Sequence, residues 1–254
     1  MSHSHKLLCT LVAGLAFAVA APGSASAYTF LQTPDGVPLR WQQSPVPYMI
    51  GPLSDDLPED QQMDAIFAAF DAWEQVPGVE MQFEFVGTTD LATVGNDGTN
   101  VVFFMKSGWP AGSAAIATTQ TFAQTTGEIV GFDLPINDAA YFFTAEDDAS
   151  KSQTDLQNAL THEVGHILGL DHSLDPEATM YAVTSRGDLE KRSLASDDEQ
   201  GAQFLYADGV VQADDDPAVM GCGCSTPAGS SRSGASLGFL ILGAAVGLGR
   251  RRRS

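Results

Sequence analysis

The stretch that decides the organisation of this chain is His162-Glu163-Val164-Gly165-His166-Ile167-Leu168-Gly169-Leu170-Asp171-His172, with Met180 following eight residues later. Three of the five histidines in the 254-residue chain lie here. The other two, His3 and His5, precede an apolar run near the start of the chain. This concentration of imidazoles indicates a metal-binding site.

The spacing of these residues predicts side chains that meet on one side of a helix. A helix turns about 100° per residue, so His162 and His166 lie on one face, about 6 Å apart along the axis. Glu163 is one step further round and is placed to hydrogen-bond a water on an ion that the two imidazoles hold. A straight helix would carry His172 too far along the axis to reach the same ion as His162 and His166. Gly169 allows the chain to turn back, because glycine accepts the left-handed conformation that ends helices.

Three neutral imidazoles suit a catalytic Zn²⁺, since they leave one tetrahedral position open for water. Zinc lowers the pKa of its water towards about 7 and polarises a carbonyl brought beside it. Glu163 would then accept the proton as general base and pass it to a leaving amine. A short H-E-x-x-H also occurs by accident on surface helices, but the extended H-E-x-x-H-x-x-G-x-x-H with a downstream methionine argues against a mere histidine-bearing core helix.

The motif and its surroundings resemble the metzincin metallopeptidases, and in particular the matrixins. Ser173 follows the third histidine, Asp175-Pro176-Glu177-Ala178-Thr179-Met180-Tyr181 is similar to the matrixin turn, and 196–206 is similar to the closing helix. The resemblance covers about residues 41–206. It implies that His162, His166 and His172 bind zinc, that Glu163 is catalytic and that Met180 forms a hydrophobic floor under the metal.

The resemblance also implies a fold of the α+β or α/β class. We expect a metzincin (zincin-like) fold with a twisted five-stranded mixed sheet, one antiparallel edge strand, two long helices and a small C-terminal subdomain that ends in a helix. The domain is predicted at residues 44–207, after a short N-terminal segment at 28–43. Asp171 is predicted to be either a supporting partner of the site or a turn residue.

Periodicity in the sequence predicts the elements individually. Apolar residues at three- and four-residue steps predict a helix from about 58 to 76 that buries one stripe. Short runs between turn signals predict strands at 45–50, 79–86, 100–106, 114–122 and 128–137. By the resemblance, the strand at 114–122 is the edge that would pair with an extended peptide or protein substrate.

Charge limits the partners of the domain. Residues 28–216 contain all 32 acidic residues of the chain but only six basic ones. This charge argues against nucleic acid or an anionic membrane surface as a partner. We expect a monomer that contacts a membrane only through its C-terminal tail.

The two ends of the chain have the composition of sorting signals. Residues 1–27 read as a signal peptide with a small-residue cleavage site, which predicts export. Residues 208–234 read as a linker that carries Cys222 and Cys224. Residues 235–254 form a hydrophobic tail with an arginine cluster, similar to the MYXO-CTERM sorting tails, which implies surface attachment or release. A strained disulfide or a metal clip is the alternative for the two cysteines.

Several features of this sequence depart from the matrixin pattern or have two interpretations. No cysteine is placed to cap the zinc, and the extra histidines of a second, structural zinc are missing, so neither feature is expected. Asp133, Asn137 and Asp138 are candidates for a Ca²⁺ site, with strand-end and turn roles as the alternative. Asp197 and Asp198 read as helix-start acids, and the resemblance adds an anchor for a freed N-terminus.

Two further expectations concern specificity and function. By the resemblance, Tyr181–Ser193 would wall the pocket beyond the cleaved bond. The rival to a peptidase is a surface binding module that kept the metal and lost catalysis. An intact Glu163 argues against that rival, because such a module has no need of the carboxylate.

Overall fold

A computed structural model of the chain describes residues 26–110, 113–147 and 153–212, together with the strand at 241–246. The predicted signal peptide up to residue 25, the part of the predicted linker that carries the two cysteines, and the arginine cluster lie outside the described residues. In the described part, the helices and strands belong to one layered arrangement of a sheet with helices packed against it.

The helices are α1 (Glu59–Glu74), α2 (Leu156–Leu168) and α3 (Ser196–Leu205), with a short 3-10 helix at Glu190–Arg192. The strands are β1 (Thr29–Phe30), β2 (Gln43–Ser44), β3 (Val46–Ile50), β4 (Phe83–Thr88), β5 (Val101–Phe104), β6 (Ala115–Ala123), β7 (Ile129–Ile136), β8 (Phe143–Thr144), β9 (Thr154–Asp155), β10 (Leu170–Asp171), β11 (Val211–Gln212) and β12 (Ile241–Val246).

The main sheet is mixed, in the order β12-β6-β7-β5-β3-β4. Strands β4, β3, β5 and β7 run parallel, and β6 is antiparallel to β7. These five strands form the predicted mixed sheet. The expectation that β6 is its outer edge is corrected, because β12 pairs antiparallel with the far side of β6. An unpaired strand presents a row of free N–H and C=O groups, which is why an apolar segment of the same chain can add to it.

Helix α1 buries the predicted apolar stripe against the sheet and against α2. Ile66, Phe70 and Trp73 are buried. The Trp73 indole Nε1 donates a hydrogen bond of 2.8 Å to the carbonyl oxygen of Thr161 in α2. The Phe70 ring stacks on Tyr48 of β3 at 4.4 Å between centroids. Helix α1 therefore joins the sheet to α2.

The outermost strand β4 begins later than predicted. Sequence periodicity placed its start at 79, whereas the strand begins at Phe83. Met81 is nevertheless buried, and Phe85 is 37% exposed. Because β4 pairs only with β3, pairing on one side does not impose the alternating burial that the sequence pattern suggests.

The segments on either side of the predicted domain pack onto it. Strand β1 pairs antiparallel with β10, and β11 pairs parallel with β2. The Trp41 indole Nε1 donates to the carbonyl oxygen of Ile167 at 2.9 Å. Val211 and Gln212, which we expected to belong to a linker, therefore form part of the folded unit. No helix in the described ranges is long and apolar enough to span a membrane.

The contact between α2 and the turn beneath it gives a stability prediction. A Cβ added to Gly165 would lie 2.2 Å from the Met180 sulfur and 2.7 Å from the Trp73 ring. We expect Gly165→Ala to lower the free energy of unfolding by about 2–3 kcal/mol, because both neighbours are buried and cannot move freely. Urea denaturation followed by circular dichroism measures the change. Gly95→Ala is the control, since nothing lies within 4 Å of its added Cβ, and equal stability of the two variants would contradict the prediction.

Candidate metal centre and active site

Helix α2 begins and ends at residues that position its histidines. The Asp155 carboxylate accepts a hydrogen bond of 2.7 Å from the Asn158 N–H and caps the first turn. Gly169 ends the helix with a φ of 107°, in the left-handed region. A Cβ at Gly169 would lie 2.1 Å from the carbonyl oxygen of Leu39. Both the backbone conformation and the lack of space therefore require glycine, and the chain turns back towards α2.

This turn brings the three imidazoles together. The ring centroids of His162 and His166 are 4.9 Å apart, and His172 lies 5.3 Å from the first ring and 5.0 Å from the second. Their candidate ligand atoms all lie within 4.8 Å of one another. The Nε2 atom of each ring is buried and lacks a hydrogen-bond partner. Three buried, unpaired nitrogens that converge on one point are the donor set of a metal ion.

The other ring nitrogens fix the tautomers of two of these histidines. His162 Nδ1 lies 2.7 Å from the carbonyl oxygen of Thr179, and His166 Nδ1 lies 2.8 Å from that of Leu170. A carbonyl oxygen only accepts hydrogen bonds, so each Nδ1 carries the hydrogen. The lone pair is then on Nε2, which faces the common point.

Burial also keeps the imidazoles neutral. It lowers the pKa of His166 to about 4 and the pKa of His162 well below its usual value. The pKa of His172 is lowered as well, again chiefly through burial. A metal ligand must be unprotonated, so the rings are ready to bind a cation at neutral pH.

Glu163 is buried beside the histidines and is held by a residue of the sheet. The Thr119 hydroxyl in β6 lies 2.9 Å from the carboxylate oxygen Oε2 and 2.9 Å from the Glu163 carbonyl oxygen. Oε1 is buried without a partner. Burial raises the pKa of Glu163 to about 8, against the lowering effect of the Thr119 hydrogen bonds. A carboxyl group with a free oxygen and a pKa in this range is suited to move a proton near neutral pH.

Met180 and Asp198 form the support beneath the site. Met180 is buried, with its sulfur against Gly165 on the underside of α2. The Asp198 carboxylate accepts hydrogen bonds from the N–H groups of Thr179 at 2.7 Å, Met180 at 2.9 Å and Ala195 at 2.9 Å. Asp198 therefore holds the turn whose carbonyl orients His162. The sequence suggested only a helix-start acid, because no local pattern shows that its carboxylate is buried.

Asp197 connects the start of the described chain to the site. Its Oδ1 accepts from the N–H groups of Ala27 at 2.8 Å and Tyr28 at 3.1 Å. Its Oδ2 accepts from the Ser173 hydroxyl at 2.7 Å. Asp197 thus lies where the resemblance implies an anchor for an N-terminus. Asp171 accepts from the backbone N–H of His172 at 2.7 Å, so it acts in the turn.

The three calcium candidates have different partners. Asp133 Oδ2 accepts from the Gly95 N–H at 2.8 Å, and burial raises its pKa to about 7. The Asn137 amide donates to the carbonyl oxygen of Ala115 at 2.9 Å. Asp138 accepts from the Ser54 hydroxyl at 2.9 Å. Within the described ranges, the three histidines are the only group of three or more His, Cys, Asp or Glu that could hold an ion. Calcium binding stays a prediction.

The donor set gives a prediction about metal binding. We expect one tightly bound Zn²⁺ per chain, with a raised melting temperature, because an ion that binds only the folded state stabilises it. Native mass spectrometry and calorimetry before and after treatment with a chelator measure both effects. His172→Ala should lose the ion and the stabilisation, whereas Asp171→Asn should keep both. Retention of zinc by His172→Ala would contradict the assignment.

Comparison with known proteins shows which family this part of the chain is similar to. The family model described as Matrixin, Peptidase_M10, matches residues 40–207. The chain is 31% identical to stromelysin-1 of Mus musculus over 175 residues, which are 66% of this chain and 33% of that protein. It is 29% identical to matrilysin of Homo sapiens over 169 residues, which are 66% of this chain and 58% of that protein.

The chain therefore spans less than two thirds of the length of these relatives. The match nevertheless covers strands β3 to β7 of the main sheet, α1, α2, the three histidines and α3. This chain belongs to the matrixin family.

Proposed function

We propose that this chain is a zinc-dependent endopeptidase that hydrolyses peptide bonds in extended protein segments. The observation that carries the proposal is the convergence of three buried, unpaired Nε2 atoms beside the buried carboxylate of Glu163. Membership of the matrixin family supports the same reaction class.

The residues have separate tasks in this reaction. His162, His166 and His172 would hold the zinc, which supplies Lewis acidity and an activated water. Glu163 accepts a proton on its free oxygen Oε1 and delivers it to the departing amine, so that the proton is conserved through the cycle. Thr119 keeps the Glu163 carboxylate in position through its hydroxyl, 2.9 Å from Oε2. This hydrogen bond between Thr119 and Glu163 attaches the carboxylate, which transfers the proton, to strand β6.

Strand β6 is the proposed platform for the substrate. It already accepts an extended partner, because β12 pairs with it antiparallel and places Gly243 opposite Thr119. Since Thr119 bonds Glu163, a segment in this position passes beside the catalytic carboxylate. A substrate that takes the same place would gain main-chain hydrogen bonds whatever its sequence. Its scissile carbonyl would then lie next to the three imidazoles.

Export and tail processing belong to the proposal. A protein with this signal sequence would act outside the cytoplasm, on the cell surface or after release. We also propose calcium binding at Asp133, Asn137 and Asp138, but the proposed peptidase activity does not depend on it. The alternative of a catalytically silent binding module is less well supported, because Glu163 is present, buried and hydrogen-bonded.

The role of Glu163 gives the first test. We expect Glu163→Gln to bind zinc normally and to lose about three to four orders of magnitude in kcat, since the amide cannot accept the proton. Casein zymography and zinc analysis of the same preparations measure the two properties. The exposed Glu177→Gln is the matched control and should keep full activity. A fully active Glu163→Gln would refute the assigned role, and a wild type without chelator-sensitive activity would refute the function.

The position of β12 gives the second test. A chain that ends at Gln212 keeps the β11–β2 pairing but lacks the strand that pairs with β6. We expect it to cleave peptides faster than the full chain, because the substrate need not displace an intramolecular strand. Progress curves with a fluorogenic peptide compare the two proteins. A synthetic peptide with the sequence of 238–248 should inhibit the shortened chain, and equal rates for both proteins would contradict this prediction.

A further inference from the structure

Positive charge is scarce in the domain and is concentrated in one short segment after Met180. Only six basic residues accompany the 32 acids of residues 28–216, and three of them, Arg186, Lys191 and Arg192, lie within seven residues of each other. This segment follows Met180 and returns to α2 at the 3-10 helix. Most cations in such an acidic chain are expected to pair with a carboxylate.

Two of the basic residues follow that expectation. Arg192 pairs with Asp155 at 2.5 Å and with Asp147 at 2.8 Å. Lys106 pairs with Asp55 at 2.8 Å on the surface. Lys191 does not, because no carboxylate in the described part of the chain lies within ion-pair distance of its ammonium. Arg40 and Arg186 also lack an ion pair among the described residues, but Lys191 differs from both because it is buried.

Lys191 is buried beside the catalytic helix. Only 7% of the residue is exposed. Its backbone N–H donates to the Asn158 side-chain oxygen at 2.8 Å, one helical turn before His162. Its ammonium donates to the carbonyl oxygen of Tyr181, directly after Met180. These two contacts connect Lys191 to the helix that carries His162 and to the turn that carries Met180. An ammonium has three donors, and one carbonyl leaves the others without a partner.

Two elements enclose the metal centre, and one of them carries Lys191. Glu163 bonds β6 through Thr119, and His162 bonds the Thr179 carbonyl on the other side. The metal centre therefore lies between β6 and the segment that begins at 179. Side chains of a strand alternate between the two faces of a sheet. Since α2 packs against the face of β6, every second side chain of a substrate paired with β6 points towards α2 and the segment that carries Lys191.

We propose that Lys191 is a specificity-determining residue that selects substrates with an aspartate or glutamate side chain beside the cleaved bond. The inference rests on the proposed function and adds the substrate class to it. An incoming carboxylate would accept hydrogen bonds from the remaining donors of Lys191 and form the ion pair that no described carboxylate makes. A buried cation that meets a neutral side chain instead keeps its desolvation cost, so discrimination against apolar and amide side chains follows.

The buried lysine remains charged at neutral pH. Burial lowers the pKa of Lys191 to about 8, and the carboxylates of Asp188, Asp198 and Glu163 oppose that shift. The ammonium form of Lys191 therefore predominates near pH 7.

The test separates charge from structure through three variants. Lys191→Gln removes the charge but keeps a donor for the Tyr181 carbonyl, and Lys191→Arg keeps the charge. Lys106→Gln removes a surface lysine as the control. Cleavage of a peptide library identifies the enriched position beside the cut. Peptides that differ only by Glu, Gln or Leu at that position then give kcat/KM for each protein.

We expect the wild type, Lys191→Arg and Lys106→Gln to prefer Glu over Gln by about tenfold or more. Lys191→Gln should lose this preference while cleaving the Leu peptide at least as well as the wild type. A purely structural lysine would instead lower all three rates together and lower the melting temperature. Absence of an acidic preference in an active wild type, or its survival in Lys191→Gln, overturns the inference and leaves the proposed function intact.

Binding provides a readout that does not need turnover. The zinc-loaded Glu163→Gln protein should bind the Glu peptide more tightly than the Gln peptide by fluorescence anisotropy, and the added Lys191→Gln substitution should make the two affinities equal. If the wild type cleaves no peptide, the proposed function fails, and these affinities still decide the role of Lys191. Equal affinities in the presence of Lys191 would overturn it.

Discussion

The convergence of three imidazole nitrogens on one point is the constraint on which the other features of the site depend. It requires α2 to end abruptly, and the left-handed Gly169 against the Leu39 carbonyl achieves this. Once the chain has turned, His172 meets His162 and His166 with all three Nε2 atoms unpaired. Burial without hydrogen-bond partners is costly for polar atoms, and a bound cation removes that cost. Burying these three nitrogens is therefore unfavourable without a ligand and becomes favourable when a metal ion binds them.

Residues far apart in the sequence hold this arrangement in place. Asp198 binds the backbone of the turn whose Thr179 carbonyl orients His162. Thr119 holds Glu163 from the opposite side. The carboxylate and the metal ligands thus depend on the sheet, on the turn and on α3 at once. Such shared support keeps reacting groups within the small tolerances that catalysis demands.

Strand β6 and the segment around Lys191 lie on either side of this centre. The two have different proposed roles in binding a substrate. The backbone of β6 offers hydrogen bonds to any extended partner, which explains why an apolar segment of the same chain lies along it. The buried Lys191 ammonium would form an ion pair only with an acidic side chain. In the proposed enzyme, affinity for the substrate would come from the sheet and selectivity from one buried cation in an otherwise acidic domain.

The sequence by itself determined the local features of this protein. Spacing identified His162, Glu163 and His166, and apolar periodicity located α1 and most strands, because both patterns depend on neighbours along one element. Tertiary structure alone decided that β12 covers β6, that Asp198 is buried beneath the metal centre and that Lys191 lacks an acidic partner. These features depend on which distant groups meet and which remain unpaired, and such contacts arise only when the chain has folded.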